Sequence, residues 1–211
     1  MSQDPKPTLF GADYSVYVRI ACMTLEEKGV GYGLVPVDVF AEGGPPTWYL
    51  ERHPFGRIPA FEHDGFRLFE TGAITRYVDE AFDGPPLQPA DVRARAVMNQ
   101  IIGLIDAYAY RAMVWDVAVE RLERNPPDEA RIGGGLRIAD TVLKALTALK
   151  MPGDWLLGGE VTLADLHAAP VIGYFLKTED GRRLLGTYPP IEQWWTKAST
   201  RPSFATTEKA G

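Results

Sequence analysis

The sequence predicts a two-part fold, α/β plus all-α: an N-terminal βαβ–ββα domain followed by a C-terminal helical bundle. Three observations carry this. Strand and helix patterns alternate through residues 1–83. The run Asp83-Gly84-Pro85-Pro86 then breaks the pattern. Beyond it strand signals almost vanish, and apolar residues recur at helical spacing. The boundaries that follow are a first domain over 1–83, a linker over 84–91 and a helical domain over 92–211.

Each element has its own signal. Thr8-Leu9-Phe10 before Gly11 reads as a short strand. Ser15 to Lys28 reads as a helix, with Val18, Cys22 and Leu25 on one face and Gly29 as its stop. Tyr32 to Val39 is rich in β-branched residues and holds Pro36, which suits an edge strand. A short helix or loop follows. Ile58 to Glu62 and Phe66 to Phe69 are two strands joined at Asp64-Gly65, a hairpin signal. Thr71 to Phe82 returns to helical spacing through Ile74, Tyr77, Val78 and Ala81. Past the linker, Val97, Ile101, Leu104 or Ile105, Tyr108, Ala112, Trp115 and Val119 predict a long amphipathic helix ending near Asn125-Pro126-Pro127. Ile132, Leu136, Ala139, Leu143 and Leu146 predict a second, ended by Pro152-Gly153. A third begins at Thr162, and a fourth follows Tyr188-Pro189-Pro190.

Composition excludes several function classes. The chain has 211 residues, 45% of them hydrophobic, and 22 basic against 28 acidic side chains for a net charge of −6. Such an acidic chain is a poor match for nucleic acid, which is bound by clustered Lys and Arg. No apolar run approaches the ~18 residues of a membrane span. Met1 to Lys6 are polar and lack a signal-peptide pattern. One cysteine, Cys22, forbids an intrachain disulfide, and His53, His63 and His167 show no metal-ligand spacing. A cytoplasmic protein without a metal is expected.

The candidate chemistry lies at three junctions. Ser15 opens the first helix, where a Ser is ordinarily an N-cap. A hydroxyl at the positive end of a helix can also stabilise an anion, including a thiolate. Both readings stand on sequence alone. Ile58-Pro59 is either a plain strand start or a bend. A bend would turn the Ile58 backbone outward to pair with an extended peptide. Thr71 is a plausible cap of the next helix, whose free N–H groups suit a carboxylate, while Glu70 suits an ammonium. Elsewhere, Thr162 and Asp165 form a capping box, a structural motif, and Pro170 would kink or perturb the helix behind it. His167 reads as a hydrogen-bonded structural histidine and Cys22 as a buried inert thiol. Tyr108 and Trp115 belong to the core stripe of the long helix, while Tyr110 and Met113 point elsewhere and are candidates for lining an apolar pocket.

His53-Pro54-Phe55-Gly56-Arg57-Ile58-Pro59-Ala60-Phe61 and Phe69-Glu70-Thr71-Gly72-Ala73-Ile74-Thr75-Arg76-Tyr77 resemble the cytosolic glutathione S-transferases, in particular their phi-like and bacterial Ser-type members. The linker, the capping box with Pro170, and Trp194-Trp195 with Arg201-Pro202-Ser203-Phe204 fit the same family, so the resemblance covers nearly the whole chain. It implies a thioredoxin-like first domain that binds glutathione, which is a co-substrate, with no permanently bound cofactor. Carried over by position, Ile58 after Arg57 and before Pro59 pairs with the cysteinyl part, and Glu70 with Thr71 holds the γ-glutamyl head. Ser15 meets the sulfur, with Tyr14 its rival. Tyr17 joins Tyr110 and Met113 at the electrophile. Phe55 inserts into the partner of a homodimer. The loop Phe40-Ala41-Glu42-Gly43-Gly44-Pro45-Pro46 lacks the family's basic residues for the glycine carboxylate, leaving Arg57, His53 or Arg52 to substitute. The implied activity is conjugation of glutathione to small hydrophobic electrophiles. The alternatives are peroxidase, isomerase or dehalogenase chemistry on the same fold, or a non-catalytic binding module.

Overall fold

The computed structural model describes residues 6–208. Residues 1–5 and 209–211 lie outside them, including most of the stretch read above for a signal peptide. The described residues form two compact units: one runs to Pro86 and takes up the chain again from Ala205, and the other is Leu87–Phe204.

The first unit holds strands β1 (Thr8–Gly11), β2 (Gly33–Pro36), β3 (Ala60–His63) and β4 (Phe66–Phe69), with helices α1 (Val16–Glu27), α2 (Thr47–Leu50) and α3 (Thr71–Ala81). The sheet order is β2-β1-β3-β4, with β1 parallel to β2 and both β1–β3 and β3–β4 antiparallel. This is a thioredoxin-like arrangement. Pro36 sits on the edge strand, where a missing N–H costs little. Asp64 and Gly65 both take positive φ, 49° and 76°, which is what a tight hairpin of matching twist requires. Side chains alternate across the sheet. Leu9 and its partner Phe61 enter one core with Val18, Cys22, Leu25, Ile74 and Val78. Phe10 and its partner Ala60 enter a second with Val37 and Tyr49. Cys22 is a free, buried thiol, and burial pushes its pKa up.

Lys28 ends α1 and is almost fully buried. Its Nζ donates to the Asp79 carbonyl at 3.0 Å, the Asp79 carboxylate at 3.1 Å and the Pro85 carbonyl at 3.1 Å. The lysine thereby ties α1, α3 and the start of the expected linker together. Gly84 passes so close that a Cβ there would lie 2.9 Å from the Lys28 carbonyl oxygen. Leu87, also in that expected linker, is fully buried in the helical unit, where its carbonyl accepts from the Leu163 N–H at 2.9 Å.

The helical unit opens with one long helix, α4 (Val92–Leu104), a π-helical segment (Ile105–Val119) and α5 (Glu120–Glu123), ended by a cis Asn125-Pro126 bond. Helices α6 (Glu129–Leu149), α7 (Leu163–Phe175), α8 (Glu179–Leu185), α9 (Pro189–Ala198) and α10 (Pro202–Thr207) follow, the last crossing into the returning chain. The π segment corrects the stripe read from sequence. Its turns close from i to i+5, so every fourth residue faces the core. Ile105, Ala109, Met113 and Val117 are fully buried, whereas Tyr108 is 61% exposed. Met113 is therefore core, not the outward-pointing residue the α-helical spacing implied, and Tyr108 is not core. Two short helices, α8 and α10, escaped the sequence reading. In α8 the helix-breaking Gly181 is there because a Cβ would run into the Phe175 carbonyl. Helix α7 runs on past Pro170 to Phe175. Among the described residues, no helix is long and apolar enough to cross a membrane.

Asp165 organises this unit. Its buried carboxylate accepts from the Leu156 N–H at 2.8 Å, the Thr162 N–H at 2.8 Å, the Thr162 hydroxyl at 2.9 Å and the Trp194 indole N–H at 2.8 Å. It joins the loop before α7, the α7 N-terminus and α9. Removing it would strand several buried donors at ~1–3 kcal/mol each. Asp165→Ala is therefore expected to lose about 3 kcal/mol or more of stability, read from the denaturant midpoint. A loss below about 1 kcal/mol would show that the network is not structural.

Candidate active site

The sheet register brings the three candidate junctions to one place. Phe10 pairs with Ala60, and Ala60 with Phe69. The C-terminal end of β1, the start of β3 and the end of β4 therefore share one end of the sheet. Ser15 follows β1, Ile58-Pro59 precedes β3, and Glu70-Thr71 follows β4.

Ser15 is the N-cap of α1, its hydroxyl oxygen accepting from the Val18 N–H at 3.3 Å. That contact uses a lone pair. Among the described residues the Ser15 O–H proton has no acceptor, so the capping and anion-binding readings are compatible in one side chain. Tyr14 differs. Its hydroxyl donates to the Asp38 carboxylate at 3.3 Å. Burial first and Asp38 second push its pKa up, so the phenol holds its proton. Asp38 was not singled out in the sequence. The available signal was an Asp two residues before the Phe40 N–H, an Asx-turn spacing, and that bond is present at 2.8 Å.

The Ile58-Pro59 bond is cis, and among the described residues the Ile58 N–H and C=O have no hydrogen-bond partner. Tyr49, buried below, steadies the approach by donating its hydroxyl to the Arg57 carbonyl at 2.6 Å. Glu70 takes φ 71°, ψ 113°, a strained setting for a residue other than Gly. Glu70, not Thr71, occupies the cap position of α3, and no side chain caps that helix. This revises the reading of Thr71 as the cap. The N–H groups of Thr71 and Gly72 are left at an open helix terminus, beside the exposed Glu70 carboxylate.

The substitutes for the missing basic loop separate. Arg57 is exposed at this end of the sheet. Arg52 lies over the Phe10 ring at 4.7 Å and pairs with Glu62 at 3.4 Å. His53 is buried, its ring 4.9 Å from Phe69 and stacked 6.4 Å from Tyr49. It packs against Phe69 at the end of β4 and does not present a cation to solvent. Phe55 is 73% exposed. Tyr17 on α1 and Tyr110 in the π segment are half-buried. Buried His167 has its Nδ1 3.9 Å from the Asp106 carboxylate. Among the described residues, no group of three or more His, Cys, Asp or Glu could hold a metal ion.

Burial holds the His53 imidazole below its ordinary pKa, against the pull of the nearby Glu70 carboxylate. The unfolded chain takes up a proton near ~6.5, while the folded chain resists until lower pH. This contribution to stability is complete above ~6.5 and is lost as the pH falls toward the depressed folded value. His53→Phe is expected to flatten the loss of stability between about pH 6.5 and pH 5, followed by denaturant midpoints. Curves of equal slope for the two proteins would count against it.

Residues 9–86 match the family model described as "Glutathione S-transferase, N-terminal domain", and residues 128–202 match "Glutathione S-transferase, C-terminal domain". Glutathione S-transferase F13 of Arabidopsis thaliana is 30% identical over 202 residues, covering 93% of this chain and 92% of that protein. The crystal structure of glutathione transferase F7 from Populus trichocarpa superposes with a TM-score of 0.82 at 29% identity, over 95% of this chain and 97% of that one. A glutathione S-transferase-I bound with lactoylglutathione gives 0.83 at 25% identity, over 96% and 98%. With its sheet, its helical unit and nearly its whole length matched, the chain belongs to the glutathione S-transferase family, whose members are transferase enzymes.

Proposed function

We propose that this protein conjugates the thiolate of glutathione, a co-substrate, to small hydrophobic electrophiles. The observation that carries the reading is the convergence of Ser15, the unpaired Ile58 backbone and the open N-terminus of α3 beside Glu70 at one end of the sheet. The Ile58 N–H and C=O suit the cysteinyl backbone of the tripeptide as an added strand. The N–H groups at the start of α3 suit the γ-glutamyl carboxylate, and Glu70 its ammonium. Arg57 is the candidate for the glycine carboxylate.

The Ser15 hydroxyl then donates to the sulfur. A free thiol titrates near ~8.5 and is mostly protonated at neutral pH. Lowering that by about two units takes ~2.7 kcal/mol of differential interaction, within reach of a charge-assisted hydrogen bond at a helix N-terminus. The thiol proton passes to water. The thiolate sulfur forms a bond to the electrophilic carbon, and the leaving group departs with its electron pair. Tyr14 is the weaker candidate for the activator because its proton is already donated to Asp38. The exposed Phe55 ring supports a homodimer in which it enters the helical unit of a second copy. The lone buried Cys22 suits a reducing compartment, and we place the reaction in the cytoplasm.

Ser15→Ala is expected to lower the rate of conjugation at least about tenfold, while glutathione still binds by calorimetry. If Tyr14→Phe has that effect and Ser15→Ala does not, the activator is Tyr14. A wild-type chain that shows no heat of binding at millimolar glutathione would overturn the proposal. In sedimentation, Phe55→Ala is expected to shift a dimer toward monomer, and an unchanged dimer would remove Phe55 from the interface.

A further inference from the structure

A tripeptide seated on this sheet end has a direction. Its γ-glutamyl head meets the start of α3, after β4, and its cysteinyl residue meets Ile58, before β3. The strand order is β2-β1-β3-β4. An extended peptide that crosses from β4 to β3 therefore sends its third residue on toward β1 and β2, where the segment after β2 lies. Pro45 of that segment packs on Gly56, where a Cβ would come 3.0 Å from the proline Cγ. Tyr49, in α2 just beyond, holds the Arg57 carbonyl at 2.6 Å. Both contacts set the segment against the residues that lead into Ile58.

The charge on this segment has the wrong sign for a carboxylate. From Val37 to Glu51 it carries Asp38, Glu42 and Glu51 and no Lys, Arg or His. The Gly44 N–H donates to the Ala41 carbonyl at 2.9 Å, closing a turn with Glu42 exposed on its crest. Asp38 lies at the base of the segment, its carboxylate accepting from two neutral donors, the Tyr14 hydroxyl at 3.3 Å and the Phe40 N–H at 2.8 Å. The cations nearby are committed. The Arg52 guanidinium lies over the Phe10 and Trp48 rings at 4.7 and 5.4 Å and pairs with Glu62 at 3.4 Å. Among the described residues Arg57 is left for the glycine carboxylate, and its charge is shared with the γ-glutamyl end, since it and Glu70 both act on the His53 imidazole.

A free carboxylate at the glycine end thus meets one exposed guanidinium against the carboxylates of Glu42 and Asp38. An amide in its place meets no repulsion, and its N–H can donate to either acid as a charge-assisted hydrogen bond. We propose that Glu42 and Asp38 make this end of the site select against a free C-terminal carboxylate, so that the preferred thiol substrates are glutathione derivatives amidated at glycine, above all through an amine-bearing arm. This inference rests on the conjugation reading and narrows its thiol substrate. Glutathione itself still binds through its other two residues.

The test titrates three thiols by calorimetry: glutathione, its glycine carboxamide and its glycine N-(3-aminopropyl)amide. Each goes into the wild type, Glu42→Gln and Glu42→Lys. The wild type is expected to bind the carboxamide at least as tightly as glutathione. It is expected to bind the aminopropyl amide about three- to fivefold more tightly than the carboxamide in low salt, a gain that about 0.5 M salt removes. Glu42→Gln is expected to lose that gain. Glu42→Lys is expected to reverse the order and bind glutathione about fivefold better than the carboxamide. A wild type that favours glutathione over its carboxamide, or gains nothing from the amine, overturns the proposal and leaves the transferase reading standing. So does a Glu42→Lys variant that keeps the wild-type order. A wild type that binds none of the three thiols overturns both.

Discussion

Strand pairing between Phe10, Ala60 and Phe69 is the constraint on which the proposed chemistry depends. Side chains in a strand alternate, so a slip of one residue in either antiparallel pair would turn Leu9 and Phe61 away from the helices α1 and α3. Core burial therefore pins the register, and the register pins the sheet end. Three segments, after β1, before β3 and after β4, leave the sheet at that one end. None of the three is an unusual structure alone: a helix cap, a proline bend and an uncapped helix terminus. Their coincidence at one edge is what a peptide ligand can use.

The sheet end is also where local conformational rules are broken. Glu70 adopts a backbone setting that Gly would occupy without strain, and α3 begins without a side-chain cap. A protein selected for stability alone would favour Gly at this one position, which is both the strained residue and the cap. Retaining Glu there leaves helix donors open and an acidic group at the mouth, complementary to the two charges of an amino-acid head. The helical unit shows the opposite policy at Asp165, where four donors meet one buried carboxylate and every polar atom has a use.

Much of this was legible in the residues. The Asp64-Gly65 hairpin, the edge strand with Pro36 and the helices around Val18 and Ile74 follow from short-range rules, and the structure has each of them. The long helix was legible in length but not in facing. A stripe drawn at α-helical spacing assigned Tyr108 to the core and Met113 outside it. The π segment reverses both, because its wider turn advances the buried face in steps of four. Nothing in the composition of Ile105–Val119 announces that register. It is set by packing against α6 and α7, which local reasoning does not see. The fate of His53 was hidden for a related reason. A histidine beside Pro-Phe-Gly reads as a ligand, and only the positions of Tyr49 and Phe69 show that its ring is enclosed. Asp38 carried its signal in the two-residue spacing to Phe40, but its second partner, Tyr14, follows the neighbouring strand β1.

The single thiol has a practical consequence. Cys22 sits in the core between α1 and the sheet, and burial keeps it protonated. Maleimide reagents, which need an accessible thiolate, have no native target among the described residues of the folded chain. A cysteine placed on any exposed position would carry a fluorophore or spin label selectively, without first building a cysteine-free background. The fold thus comes ready for distance spectroscopy between its two units, a measurement that many thiol-rich enzymes allow only after extensive mutagenesis.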